Sequence, residues 1–463
     1  MTKIHELGAV ELRDRLARGE LSPVTVTEHF LDRIAQHNRT IEAFVTVTAD
    51  RALARAAQLE SARSHTSESR SARLPLLWGM PLADKDLSDR EGVPTGLGSR
   101  IGGSIPASSD YLTRSIDTAG AVSLGKTATP EFGLYGYTET EDGAAARHPQ
   151  APELGAGGSS GGAAAAVAAG LLPFAPGSDG GGSIRIPAAT TGLVGIKPSR
   201  GLVPADAASP HTLTGVVSGP IAHTVADATL LLDGMLHPTR ARFLPLLPRA
   251  PHTLTIGTTL ASPWDNHFPV QVEPGAQAAF HRALTVLAGL GHRVLPDSAR
   301  YPDFDYSSMF TIAWQRAAAS IPVSDTQEDL LGPVTRELIH RGRALSDEQS
   351  QLNDHNLGYY GAELRRLFAE FDVVITPALA QGPRPVGSYS RDTDTNFSQQ
   401  VCYSPHTSAI NVAGLPAVVV PVGRFSVPHS ELPLPVGVQL IGRFGDEALL
   451  LRLASQLESA LGE

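Results

Sequence analysis

Two serines in glycine-rich turns are the residues of this sequence best suited to chemistry. Ser159 lies in Gly-Gly-Ser-Ser-Gly-Gly at 157–162, and Ser183 ends the string Gly-Gly-Gly-Ser. Glycine has no Cβ, so such turns let a substrate approach the backbone closely. The pattern makes Ser183 the candidate nucleophile of an acyl transfer. The second turn also offers four successive N–H groups that could converge on a developing oxyanion, those of Gly180, Gly181, Gly182 and Ser183.

Motifs on both sides of these turns resemble the amidase signature family, in that family's order and spacing. Gly-Met-Pro at 79–81 is followed by Lys85, and Asp179 and Arg185 flank the second turn, with Pro187 just beyond it. The resemblance continues through three later motifs, so it covers nearly the whole chain; these lie at 219–227, 411–417 and 435–442.

The resemblance implies a triad of serine, cis-serine and lysine. Lys85 is then the base, Ser159 relays the proton across a cis Gly158–Ser159 bond, and Ser183 attacks. A lysine with its ordinary pKa of about 10.4 is protonated at pH 7, but burial disfavours the ammonium and lowers the pKa. We therefore expect Lys85 to be buried and neutral. Supporting roles are expected for Ser160, Asp179 and Arg185.

The implied reaction is hydrolysis of a carbon–nitrogen bond in a carboxamide, anilide or carbamate (urethane). It proceeds through an acyl-enzyme, needs no metal or cofactor, and allows esterase side activity. The alternative is the A-type subunit of a glutamine-dependent amidotransferase, which uses the same machinery to release ammonia from glutamine. That protein holds the glutamine amino group with an acidic residue, and the corresponding position here, seven before Asn411, is Ser404. A stand-alone hydrolase is therefore favoured.

Aromatic residues are the candidates for the substrate pocket. Tyr135 and Tyr137 lie in the loop at 131–138, which borders the substrate in the resembled family. Trp314 falls in the region 300–370, which often covers the pocket in that family. Core packing is the alternative role for all three side chains.

Two other strings match known motifs. The string at 120–127 fits the phosphate loop G-x-x-x-x-G-K-[ST], but it reads as a strand and Pro130 follows closely, so a nucleotide-binding protein is a remote alternative. The string at 158–162 fits G-x-S-x-G, with Ser160 as nucleophile, but residues 149–155 form a poor preceding strand. We expect Ser160 to hold its turn by hydrogen bonds instead.

Composition excludes several other classes of protein. A net charge of −10 argues against a nucleic-acid surface, and the single cysteine, Cys402, excludes an internal disulfide. The start lacks an apolar signal core, and no stretch approaches about 18 apolar residues. We expect a cytoplasmic monomer or homodimer that acts on a small molecule and has neither nucleic-acid nor membrane partners.

The alternation of predicted strands and helices indicates an α/β protein with a mixed central sheet covered by helices on both faces, and the resemblance implies that this is the amidase-signature fold. We expect a helical segment with a polar linker (61–73) over residues 1–73, and a catalytic core at 74–463 with a variable helical region at about 300–370. The predicted helices lie at 11–18, 23–34 with Ser22 as N-cap, 51–59, 163–169, 225–235, 274–290 and 447–461. The predicted strands lie at 76–86, 254–257, 292–295, 371–377 and 417–422.

Overall fold

The computed structural model describes residues 3–65, 74–206 and 215–462. The described strands are β1 (Phe44–Val47), β2 (Pro81–Lys85), β3 (Val122–Thr127), β4 (Arg147–His148), β5 (Ala151–Gly155), β6 (Phe174–Asp179), β7 (Val194–Lys197), β8 (Val217–Ala222), β9 (Thr255–Thr258), β10 (Arg293–Leu295), β11 (Val373–Pro377), β12 (Ala417–Phe425) and β13 (Leu434–Gly442).

The described α-helices surround these strands. They are α1 (Ala9–Arg18), α2 (Pro23–Ile41), α3 (Ala49–His65), α4 (Tyr111–Thr118), α5 (Gly161–Ala168), α6 (Arg185–Thr191), α7 (Val225–Met235), α8 (Pro274–Gly289), α9 (Tyr306–Ala319), α10 (Pro333–Arg343), α11 (Asp347–Phe368), α12 (Thr393–Tyr403), α13 (Ser408–Ala413) and α14 (Glu447–Gly462). None of the helices within the described ranges is both long and apolar enough to cross a membrane.

An eight-stranded mixed sheet forms the centre, in the order β10-β9-β11-β13-β12-β7-β8-β6. The first three strands run parallel and the later pairs are antiparallel. Both faces are buried, because alternate residues of β12 join different apolar clusters: Val418 and Val420 belong to the largest one, Val419 to another. The predicted mixed sheet with two covered faces is therefore confirmed.

The N-terminal helices are part of the same core. Leu12 and Phe30 belong to the largest apolar cluster, and β1 pairs with β3 in a small second sheet whose other member is β2. Helix α2 begins as predicted, with the Ser22 hydroxyl accepting from the N–H of Thr25 at 3.1 Å. Helix α3 continues into the predicted linker, of which residues 66–73 lie outside the described ranges. The division into two segments stays a prediction.

The string that resembles a phosphate loop is a strand. Residues 122–127 form β3, and the buried Lys126 side chain donates to the carbonyl of Ser88 and to the Thr95 hydroxyl. A phosphate loop needs free backbone N–H groups ahead of a helix. The structure therefore excludes nucleotide binding by this motif.

We predict opposite effects for two alanine substitutions in neighbouring helices. A Cβ added at Gly342 in α10 would lie 2.1 Å from the carbonyl oxygen of Gln315 in α9. Gly342→Ala must push these helices apart and should lower the free energy of unfolding by about 1–3 kcal/mol. Gly358 in α11 has open space at its Cβ position, so Gly358→Ala should raise the free energy of unfolding by about 0.5–1 kcal/mol. Denaturant unfolding measures both, and equal changes would contradict the close approach of α9 and α10.

Candidate active site

Lys85 ends β2 and is buried, with 2% of its surface exposed. Its Nζ donates to the hydroxyl of Ser159 at 2.7 Å and to that of Ser178 at 3.0 Å. Burial lowers the pKa of Lys85 to about 7, although the negative charge of Asp179 acts in the opposite direction. A large share of the amine is thus neutral near pH 7.

Sequence reasoning gave Ser178 no role in the site, yet its hydroxyl is the second partner of the Lys85 amine. Ser178 precedes Asp179 on β6, and neighbouring strand residues point to opposite faces. This alternation is the one feature of the sequence that could have identified Ser178. If the Asp179 side chain supports the turn on one face of β6, the Ser178 side chain lies on the opposite face, where β2 places Lys85.

Ser159 and Ser160 belong to the first glycine-rich turn, and Ser160 bonds both β6 and the second turn (180–183). The Gly158–Ser159 peptide bond is cis. The N–H of Ser160 donates to the carbonyl of Ser183 at 3.2 Å, and its hydroxyl accepts from the N–H of Ser178 at 3.3 Å. Ser160 is fully buried. It therefore holds the two turns together, which fits a supporting role and does not fit the nucleophile of a G-x-S-x-G elbow.

Ser183 lies in the wall of the same cavity as Ser159 and Ser178. Its hydroxyl forms no hydrogen bond with any residue that the structure describes, and so no direct bond to Ser159. The side chain is nevertheless open to a ligand in the cavity. Its carbonyl is fixed by Ser160, so the backbone around the hydroxyl is anchored.

A fully buried ion pair supports the second turn. Arg185 donates from Nε and Nη2 to the two carboxylate oxygens of Asp179, both at 2.9 Å. The N–H groups of Gly182 and Ile184 donate to the same carboxylate at 2.7 and 3.2 Å. Burial raises the pKa of Asp179, but the charge and hydrogen bonds of Arg185 outweigh burial and hold this pKa well below its usual range.

The expected set of four oxyanion donors needs one correction. Gly182 cannot serve, because its N–H is already bonded to the carboxylate of Asp179. The N–H groups of Gly180, Gly181 and Ser183 have no acceptor among the described residues, and all three residues line the cavity. Three donors, not four, are available to a ligand.

The cavity has a volume of about 320 Å³ and no charged side chain among its lining residues within the described ranges. Tyr135 and Trp314, two of the three candidate pocket residues, line it. Tyr137 does not, because its ring stacks on Tyr389 at 3.9 Å and its hydroxyl accepts from Asn396 at 2.9 Å. Tyr137 is thus packed behind the wall.

Four aromatic rings form one side of the cavity. The rings of Trp314 and Phe397 stack at 5.1 Å, while Trp264 meets both Phe310 and Phe397 edge to face. Phe310 and Trp314 come from α9, which places part of the region 300–370 at the cavity. Trp264 and Phe397 were not predicted, since nothing in their local sequence distinguishes them from core residues.

No group of three or more His, Cys, Asp or Glu side chains within the described part of the chain could hold a metal ion. The polar groups of the described lining include hydroxyls, one carboxamide, two indole N–H groups and backbone N–H groups. Such a set can bind and polarise a carbonyl group and carry out proton transfer between hydroxyls and the Lys85 amine.

The chain is similar to known proteins over nearly its whole length. The family model Amidase matches residues 25–451. A putative amidase of Mycobacterium tuberculosis is 36% identical over 98% of this chain and 96% of its own length. The A-type subunit of a glutamyl-tRNA(Gln) amidotransferase, from Chloroflexus aurantiacus, is 33% identical, with the same coverage of both chains. An acylamidase of Rhodococcus erythropolis is 30% identical, again over 98% and 96%.

Solved structures share the fold. A 6-aminohexanoate cyclic dimer hydrolase superposes with a TM-score of 0.86 at 26% identity, covering 100% of this chain and 98% of that one. A bacterial aryl acylamidase of the amidase signature enzymes also gives 0.86 at 26% identity, covering 99% and 97%. The predicted fold is thus confirmed.

We predict that Lys85 makes stability depend on pH. The folded pKa, about 7, lies below the ordinary value of 10.5, so between these values the unfolded chain binds more protons and stability rises with pH. Lys85→Met removes this dependence. The difference in melting temperature, variant minus native, should be highest at pH 7 and below and should fall steadily toward pH 10. The change in relative stability should amount to a few kcal/mol.

Differential scanning calorimetry at several pH values measures this difference. Lys197 is also buried with a pKa of about 7. Because both proteins contain Lys197, its contribution cancels in the difference between their melting temperatures. Lys3→Met, at an exposed position, is the control and should follow the native curve. A Lys85→Met curve that also runs parallel to the native one would contradict the lowered pKa.

Proposed function

Because the chain belongs to the amidase signature family, whose members are hydrolases of carbon–nitrogen bonds, we propose that it cleaves amides by acyl transfer to Ser183. One observation carries this proposal. The buried amine of Lys85 contacts the hydroxyl of Ser159, and Ser159 lines the same cavity as Ser183. This arrangement supports a proton path from the nucleophile to a base with a pKa of about 7.

Acylation begins with attack of the Ser183 hydroxyl on the carbonyl carbon of the substrate. The proton passes to Ser159, which gives its own proton to neutral Lys85. The new C–O bond turns the carbonyl oxygen into an oxyanion, which the free N–H groups of the second turn stabilise. As the C–N bond breaks, the leaving amine takes a proton from Ser159, which regains one from Lys85.

Deacylation uses the same groups in the reverse direction. A water molecule replaces the amine, and Ser159 and Lys85 take its proton as it attacks the acyl-enzyme. As the tetrahedral intermediate collapses to a carboxylic acid, the oxygen of Ser183 takes a proton from Ser159, which regains one from Lys85, so that all three side chains return to their starting states. Ser178, the second partner of the Lys85 amine, keeps Nζ directed at Ser159 through the cycle.

The substrate is a neutral amide with an apolar or aromatic group. The uncharged lining and the four aromatic rings support this, because an apolar group gains free energy on leaving water while an unpaired charge loses it. Anilides fit this description. Aryl carbamates (urethanes) and esters present the same carbonyl to Ser183, so we extend the proposal to them as further substrates.

The alternative function is that of the A-type component of an amidotransferase, which the similarity to the Chloroflexus protein favours. Glutamine carries an ammonium and a carboxylate. The described lining of the cavity contains no charged side chain that could pair with either group. Ser404, at the position of the expected acidic residue, lines the cavity with its neutral side chain. The stand-alone hydrolase remains the better-supported proposal.

We predict that activity depends on Ser183 and on neutral Lys85. Ser183→Ala should abolish turnover of p-nitroacetanilide, and Lys85→Ala should reduce kcat/KM by several orders of magnitude, while Lys3→Ala should leave it unchanged. In the native protein, kcat/KM should rise with pH and level off above a single ionisation near pH 7, where Lys85 loses its proton.

A fluorophosphonate probe separates an enzyme from an inactive scaffold. Mass spectrometry should find the probe on Ser183. Folded protein that stays unlabelled, or a Lys85→Ala variant with near-native turnover, would refute the assignment.

We predict selectivity for neutral substrates. The value of kcat/KM for p-nitroacetanilide should exceed that for L-glutamine by about 100-fold or more, because the glutamine charges lose their hydration without gaining partners. Trp314→Ala should raise KM for the anilide about tenfold through lost apolar contact. Phe444→Ala is the control, since Phe444 is exposed and does not line the cavity. Ammonia release from glutamine at a comparable rate would instead support the amidotransferase function.

A further inference from the structure

Asn411, from one of the later motifs, reaches the second turn and has no role in the mechanism above. It lies on α13 and is buried, with 1% exposure. Its side-chain N–H₂ group donates to the backbone carbonyl of Asp179 at 2.8 Å and to the carboxylate of the same residue at 2.9 Å. Its side-chain oxygen accepts from Arg185. The amide thus binds both the backbone and the ion pair.

The bonded carbonyl belongs to the first peptide group of the turn, since Asp179 is the last residue of β6. A trans peptide is planar, with its C=O and N–H pointing in opposite directions. The N–H of this peptide is that of Gly180, which has no acceptor among the described residues and lines the cavity. A group that holds the Asp179 carbonyl therefore also sets the direction of the Gly180 N–H.

We propose that Asn411 is a positioning residue that aims the Gly180 N–H at the oxyanion. This inference rests on the proposed acyl transfer at Ser183. Gly180 has no side chain to restrict its backbone, so an outside hydrogen bond is needed to hold one orientation. Donors that are already oriented stabilise the transition state because no reorganisation is required during the reaction.

Two later peptide groups of the turn, those between Gly181 and Gly182 and between Gly182 and Ser183, provide a comparison. The Gly181 carbonyl accepts from the Thr407 hydroxyl at 2.6 Å, and the same peptide donates its N–H, that of Gly182, to Asp179. This group is held at both ends and its N–H is not available to the cavity. The Gly182 carbonyl accepts from the N–H of Ile186 at 2.7 Å, a backbone bond that fixes the Ser183 N–H. The Gly180 N–H depends on a side chain, so substitution can test its role.

Asn411→Ala is the test, with p-nitroacetanilide as substrate. The oxyanion develops in the transition state and is absent from the bound substrate, so kcat should fall while KM stays within about threefold. Loss of a whole donor costs about 100- to 1,000-fold, and a misdirected donor should cost about 10- to 100-fold. Phenylboronic acid, which forms a tetrahedral adduct with a serine, should bind more weakly by a similar factor.

Thr407→Val is the matched control, because it removes a bond to a peptide that Asp179 still holds. It should lower the melting temperature but change kcat and boronic acid affinity much less than Asn411→Ala does. Active-site titration with a fluorophosphonate gives the fraction of competent molecules, and rates are calculated per competent site. Asn411→Ser serves as a second variant if the alanine protein does not fold.

The outcomes are distinct. A lower kcat per competent site, with weaker boronic acid binding and unchanged KM, supports the inference. Native kcat and affinity per competent site would overturn it, and so would a loss fully explained by fewer competent molecules. A native protein that neither turns over substrate nor reacts at Ser183 would instead refute the proposed function.

Discussion

The buried ion pair of Asp179 and Arg185 is the interaction on which the site depends. Removing two charges from water costs several kcal/mol per ion, and only good geometry with further hydrogen bonds offsets this cost. Here Arg185 also donates to the carbonyl of Thr407 and to the side chain of Gln439, while Asn411 bonds both partners. These contacts join β6, α13 and β13, so distant segments of the chain meet at one ion pair.

A second buried lysine, Lys126, lies in electrostatic surroundings that differ from those of Lys85. Burial lowers the pKa of Lys126 on β3 as well, while the nearby carboxylates of Asp84 and Asp86 act in the opposite direction; its side chain donates to a backbone carbonyl and to Thr95. Among the described residues Lys85 donates to two neutral hydroxyls, and Asp179 is the one carboxylate that raises its pKa. The two lysines therefore differ in the number of carboxylates that favour the ammonium among the described residues: Asp84, Asp86 and Asp89 act on Lys126, and Asp179 alone acts on Lys85.

The sequence predicted those features that follow from local patterns. The apolar runs at β11 and β12 and the Ser22 cap of α2 lie where expected, and the signature motifs led to the family and to the candidate triad. Ser178, Phe397 and the bonded N–H of Gly182 were not predicted, because each depends on segments far apart in the chain. The same is true of β1, whose short strand needs β3 as a partner.

The uncharged cavity and the lowered pKa of Lys85 have one physical origin. Within the described lining no charged side chain faces the substrate space, so water removed by a ligand is replaced by apolar groups, hydroxyls and backbone N–H groups. In such surroundings an ammonium is disfavoured, and a hydrogen bond from an N–H group to an oxyanion is stronger than in water. A carboxylate placed in this lining would stabilise charged Lys85 and repel the oxyanion. In the proposed reaction, the absence of charge that selects neutral substrates thus also keeps the Lys85 amine neutral and the N–H donors effective.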